Sequence, residues 1–144
     1  MLRPVLLAAA LTLAAPAIAD HLMTPTVQGE YDDLLGEFTP PYRVILSPTV
    51  DDLEDGGRSE YEYTLARGAT YRFFGVCDED CDDLDLVVYD AQGNRVASDF
   101  GSDDRPVVNF TVPRRASAAD YTVAVRMASC EYDPCQFALG HLRR

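Results

Sequence analysis

The sequence predicts an all-β, antiparallel sandwich preceded by a poorly patterned N-terminal arm. Two observations carry that expectation. Apolar and polar residues alternate over many short segments, the period of a strand with one buried face. Turn-forming Gly, Pro, Asn and Asp punctuate those segments at short intervals, and few stretches carry the longer period of a helix. An up-and-down barrel is the rival way of closing such strands.

Met1-Leu2-Arg3 gives a cationic start, residues 5–15 are apolar apart from Thr12, and Pro16 leads into Ala17-Ile18-Ala19. A charged start, a short apolar core and an A-x-A end make a secretory signal over 1–19, too short for a permanent membrane span. Residues 20–41 form the arm, interrupted by Pro25, Gly29, Gly36, Pro40 and Pro41, with room for a helical turn or two over 30–35.

The β-domain spans 42–144. Residues 43–46 read as a first strand, ended by Pro48 and the acidic, glycine-containing loop 51–57. Tyr61, Tyr63 and Leu65 then share one face, with Glu60, Glu62 and Thr64 on the other. Arg67-Gly68 turns the chain into an aromatic-rich strand over 70–76. Leu84, Leu86 and Val88 mark the next inner face, followed by a turn at 90–94 and a short hairpin partner at 95–98. Val108, Phe110 and Val112 define another strand, Tyr121, Val123, Val125 and Met127 the next, and 136–139 the last.

All twelve basic residues are arginines; without the leader, eleven face twenty-four carboxylates, a formal charge of −13. That field repels nucleic acid and anionic lipid, which argues against either as a partner. No second apolar stretch is long enough to span a membrane. The four cysteines, Cys77, Cys81, Cys130 and Cys135, form an even set in an exported chain and point to two disulfides. Each close pair lies within one short polar loop, which favours Cys77–Cys81 and Cys130–Cys135; crossed pairing between strand ends is the alternative. Four-thiolate zinc fits poorly in an oxidising compartment, and no histidine stands nearby.

Between Cys77 and Asp85, six carboxylates fall within nine residues. Calcium takes six to eight oxygen ligands, so Asp80, Asp82 and Asp83, joined by Asp103 or Asp104, form a candidate calcium site. The simpler expectation is that these aspartates accept hydrogen bonds from loop amides. Asp83 and Asp85 face away from Leu84 and Leu86, which suits a tie to the acidic loop through amide or Arg contacts.

Catalytic constellations are thin. The histidines are His21 and His141 alone, no G-x-S-x-G surrounds a serine, and there is no lysine. A carboxylate-dependent hydrolase is the one enzyme class left open. Tyr89, Phe100 and Tyr132 lie near turns, where ligand-stacking rings are often placed, although strand tyrosines more often pack in cores.

Several segments carry a family resemblance: Tyr61-Glu62-Tyr63-Thr64-Leu65, then Gly68-Ala69-Thr70-Tyr71-Arg72-Phe73, Asp83-Leu84-Asp85-Leu86-Val87-Val88-Tyr89-Asp90 with Gly93, and Ala119-Asp120-Tyr121-Thr122-Val123-Ala124-Val125. From about Gly57 to the C-terminus, the chain resembles the bacterial pre-peptidase C-terminal domain family. The resemblance implies a jelly-roll-like sandwich of the kind appended to secreted proteases, where it serves export, stability or substrate contact. Some members bind calcium.

Together these readings lead to an exported, periplasmic or secreted, non-catalytic module that contacts protein or polysaccharide, with a calcium-stabilised structural domain as the alternative. Processing between Ala19 and Asp20 is expected; intact-mass measurement of exported protein checks it, and a product beginning at Met1 contradicts it.

Overall fold

The computed structural model describes residues 22–144, so the expected signal at 1–19, its cleavage point and His21 lie outside the described residues. Helix α1 (Pro25–Phe38) precedes strands β1 (Arg43–Val44), β2 (Thr49–Leu53), β3 (Arg58–Thr64), β4 (Thr70–Cys77), β5 (Cys81–Tyr89), β6 (Arg95–Asp99), β7 (Val107–Thr111), β8 (Asp120–Cys130) and β9 (Cys135–Arg143). They form two sheets. In sheet A the order is β1-β9-β4-β7, with β2 also paired to β9; in sheet B it is β3-β8-β5-β6. All pairings are antiparallel. The pairs β2–β9, β3–β8, β4–β7 and β5–β6 nest inside one another along the chain, which is the winding of a jelly roll. The chain is an all-β sandwich, as its alternation predicts.

Several boundaries differ from expectation; the first strand, expected over 43–46, covers only Arg43–Val44. The stretch 51–57, expected as loop, begins inside β2, whose Asp51 and Asp52 pair with Phe137 and Gln136. A strand with two adjacent aspartates carries no apolar alternation to read; it is held by backbone pairing and by Tyr61 Oη, which donates to Asp51 Oδ2 at 3.0 Å. The last strand runs to Arg143 rather than stopping at 139.

The sandwich interior is built from the alternating faces: Phe73 on β4, Leu84, Leu86 and Val88 on β5, Val123, Val125 and Met127 on β8, and Phe137 and Leu139 on β9. Strands β4 and β9 are buried on their other face too, because α1 packs there. The arm at 20–41, expected to hold a turn or two, is thus mostly a fourteen-residue helix. Thr24 caps it, its Oγ1 accepting from Val27 N at 3.3 Å, and Pro25 occupies the first turn, where no intrahelical N–H is lost. Val27, Tyr31, Leu34 and Phe38 recur at helical spacing and form a second core with Phe74, Val76, Ala138 and Leu142.

Phe74 is the centre of that second core. Its ring centroid lies 5.1 Å from that of Tyr31 and 5.4 Å from that of Phe38. Its cross-strand partner is Gly140, where a Cβ would stand 2.1 Å from the Phe74 ring. The ring occupies the space that any side chain at 140 would need. At the end of the helix, the Arg72 guanidinium lies 4.3 Å and 4.4 Å from the ring centroids of Phe38 and Tyr42.

Both disulfides are local: Cys77–Cys81 and Cys130–Cys135. Each joins a strand of one sheet to a strand of the other, and Cys81 lies opposite Cys130 in the β5–β8 register. The two sheets are therefore clamped side by side at one end. Because the loops closed are short, each bridge contributes about 2 kcal/mol by loop entropy. Two disulfides fit an extracytoplasmic setting. Among the described residues, no helix is long and apolar enough to cross a membrane.

A buried polar contact also joins the two sheets through the interior. His141, 1% exposed, faces inward from β9, and its Nε2 lies 2.7 Å from Tyr63 Oη on β3 of the opposite sheet. Thr49 Oγ1 lies 3.5 Å from the same nitrogen. Burial holds the imidazole pKa down to about 4, with the Ser47 backbone a partial counterweight. The folded form therefore binds its proton later than the unfolded chain, whose histidine titrates near 6.5. The associated stability is complete above about pH 6.5 and falls as pH drops toward 4, by about 3 kcal/mol in all. In an NMR titration, the His141 ring should stay neutral down to about pH 5; a midpoint near 6.5 contradicts this.

Candidate functional site

The acidic stretch sits at the disulfide-clamped end, where carboxylates in and around it accept from backbone amides. Asp78 Oδ2 accepts from Gln136 N at 2.6 Å, and burial pushes the Asp78 carboxyl above its ordinary pKa. Nearby, Asp55 Oδ1 accepts from Cys130 N at 2.9 Å. Asp103 Oδ1 accepts from Arg105 N at 2.9 Å, and Asp80 contributes its carbonyl to Glu131 N at 2.8 Å.

The five aspartates considered for calcium are brought together only in part. Asp82 is exposed at the start of β5. Asp104 turns its carbonyl to within 3.7 Å of Cys77 Sγ. Asp83 does approach the loop of Asp103, whose carbonyl accepts from Leu84 N at 3.0 Å. Burial, then repulsion from Asp85 and Asp103, raises the pKa of Asp83, and its Oδ1 is buried without a hydrogen bond. Among the described residues, no three His, Cys, Asp or Glu side chains converge closely enough to hold a metal ion. Asp85 makes the Arg contact expected of it: it is 4% exposed and accepts from Arg126 Nη1 at 3.1 Å across the strand pair.

A broad hollow lies elsewhere, on the outer face of sheet B. Register lays that face out in rows. Arg58, Arg126 and Asp85 share one; Glu60, Ala124 and Val87 the next; then Glu62, Thr122 and Tyr89; and finally Thr64 beside Asp120. The central strand β8 places small Ala124 and Thr122 between longer side chains on β3 and β5, so the middle of the face is recessed. The result is a trough of about 940 Å³, walled by Glu60 and Glu62 on one side and by Tyr89 and the 90–93 turn on the other. Four carboxylates line it (Glu60, Glu62, Asp90 and Asp120) against one guanidinium, that of Arg58. Asp120 accepts from Thr64 Oγ1 at 2.7 Å, and Asp90 Oδ1 accepts from the 92 and 94 amides of its own turn. Arg58 pairs with Glu60 and reaches over the Tyr89 ring, 5.6 Å from its centroid. Beyond Glu60 and Glu62, at the edge of the sheet, a second hollow of about 630 Å³ is lined by Thr49, Tyr61 and Tyr63.

Of the aromatic candidates, Phe100 and Tyr132 are 53% and 65% exposed but stand outside the trough, whereas Tyr89 lines it. The trough is missed by sequence reasoning because it depends on β3, β8 and β5 lying in that order. The alternating exposed residues of β3 are the one local signal, and they do not reveal what stands beside them. No protein-family model matches this chain, and no curated protein matches it.

The Asp85–Arg126 pair lies at the end of the same face and offers a test of its packing. Arg126→Ala leaves a buried carboxylate without its cation and should cost about 1–3 kcal/mol in chemical denaturation, whereas Arg126→Lys should recover part of the loss. An Ala variant as stable as the parent would show that the pair does not support the sheet.

Proposed function

We propose that the protein is an exported, non-catalytic binding or accessory module, working in the periplasm or outside the cell, that contacts a protein or polysaccharide through the outer face of sheet B. One observation carries this reading: α1 seals the outer face of sheet A with its own apolar core, while the equivalent face of sheet B is left bare and recessed among the described residues. A face of this kind, set on rigid strands, suits recognition. The resemblance to pre-peptidase C-terminal domains supports the same reading, since those domains accompany secreted proteases as accessory parts. The test is differential capture from the native envelope fraction, together with affinity electrophoresis in polysaccharide gels. Thr122→Arg fills the floor of the trough and should abolish whatever retention the parent shows; Asp82→Arg, at the clamped end, should leave it intact. Equal retention by both variants would remove sheet B as the contact face.

The second reading is a calcium-stabilised structural domain, and Asp83 favours it. Its unpartnered Oδ1 and its repulsion by Asp85 and Asp103 are both relieved if a cation sits between Asp83 and Asp103. Calcium at a hundredfold excess over Kd should then stabilise the fold by about 2.7 kcal/mol. Asp83→Asn should remove that increment. Equal shifts from calcium, magnesium and sodium chloride at matched ionic strength would reduce the effect to charge screening.

A further inference from the structure

Among the described residues, strand β3 ends sheet B: it pairs with β8 on one side and with no strand on the other. The pairing phase decides which of its residues face the free edge. Gly57 O accepts from Met127 N at 2.9 Å and Leu65 N donates to Ala119 O at 2.8 Å, and both pairs continue the β3–β8 register. In an antiparallel ladder, hydrogen bonding to a given neighbour alternates along the strand. The odd-numbered residues from 57 to 65 therefore turn N–H and C=O toward β8, and Arg58, Glu60, Glu62 and Thr64 turn theirs outward. These same even-numbered residues carry the exposed side chains of the strand. Glu60 and Glu62 thus offer two things at once: carboxylates on the outer face and backbone groups along an open edge.

We propose that the edge of β3 accepts an added strand from an extended, basic polypeptide segment, with Lys or Arg at two positions separated by one residue. A strand laid against β3 forms bonded pairs with Glu60 and Glu62, and its residues opposite them project over the same face. Cations at those positions meet the two carboxylates directly, while the intervening residue points the other way, on the side of Tyr61. Charge selects the cation, since the trough holds four carboxylates and one guanidinium. Free backbone at the edge selects a polypeptide. A sugar chain finds less here: Arg58 covers the Tyr89 ring, Tyr63 turns its hydroxyl inward to His141, and Tyr121 is buried.

The proposal rests on sheet B being the contact face and adds the chemistry of its occupant. The probe is a short Thr/Val-rich peptide carrying Lys-x-Lys, titrated against the full exported protein at about 0.15 M salt, with a control peptide of equal composition whose lysines are adjacent. Binding of the first peptide should slow amide exchange at Glu60 and Glu62 and exceed that of the control. Glu60→Gln with Glu62→Gln should weaken it about fivefold or more, as loss of two cross-strand charge pairs implies. Glu79→Gln with Asp82→Asn removes the same charge at the clamped end and should change affinity less than about twofold. Thermal unfolding confirms that both variants fold. Equal loss in the two double variants, equal binding of the two peptides, or no protection at 60 and 62 would each overturn the added strand. A neutral oligosaccharide that protects the trough where the peptide does not would also overturn it, and would leave the module reading in place.

Discussion

Strands β4 and β9 lie side by side in the middle of sheet A with both faces covered, and the pairing of Phe74 with Gly140 makes that possible. The ring lies over the backbone at 140, where even a methyl group would collide with it, and so brings Tyr31 and Phe38 down onto the sheet. Remove that fit and the helix has no flat apolar surface to rest on. The remaining asymmetry of the molecule follows from it. One outer face becomes a second core, and the other is left to solvent with its charges outward.

The clamped end explains much of the acidity that first suggests metal chemistry. Asp55, Asp78 and Asp133 each accept from a backbone N–H near the disulfides, those of Cys130, Gln136 and Asp55. A carboxylate is a strong acceptor for such amides. Within the acidic stretch itself, Asp78 and Asp85 therefore have a structural use before any ligand is considered. Asp78 and Asp83 each keep one carboxylate oxygen buried and unmatched, and Asp83 alone of the two accepts no backbone amide with the other.

How much was legible depended on whether the signal was local. Tyr61, Tyr63 and Leu65, or Tyr121 through Met127, announce half-buried strands by alternation, and cysteines four or five apart announce their own partners. Helix α1 was harder. Val27, Tyr31, Leu34 and Phe38 have helical spacing, yet Gly29 and Gly36 break the expected propensity, and tertiary packing overrides it. Strand β2 hid behind its aspartates. The burial of His141 was invisible because a histidine near the end of a chain carries no local mark of the tyrosine that meets it from the other sheet. The trough needed three strands in spatial order, which no single segment encodes.

The placement of Gln136 has a further consequence. Its side chain accepts from Thr24 N at 2.6 Å and donates to Leu22 O at 3.1 Å, which fixes the start of the helix beside the disulfides. Arg144 N, by contrast, donates to Thr70 O at 3.0 Å, at the opposite pole of the sandwich. The whole of β9 separates the two points, roughly 30 Å of extended chain. The entry to α1 and the end of β9 thus stand at opposite poles, so the domain spans its full length between positions 22 and 144. A circular permutant would need about ten extended residues merely to bridge the poles.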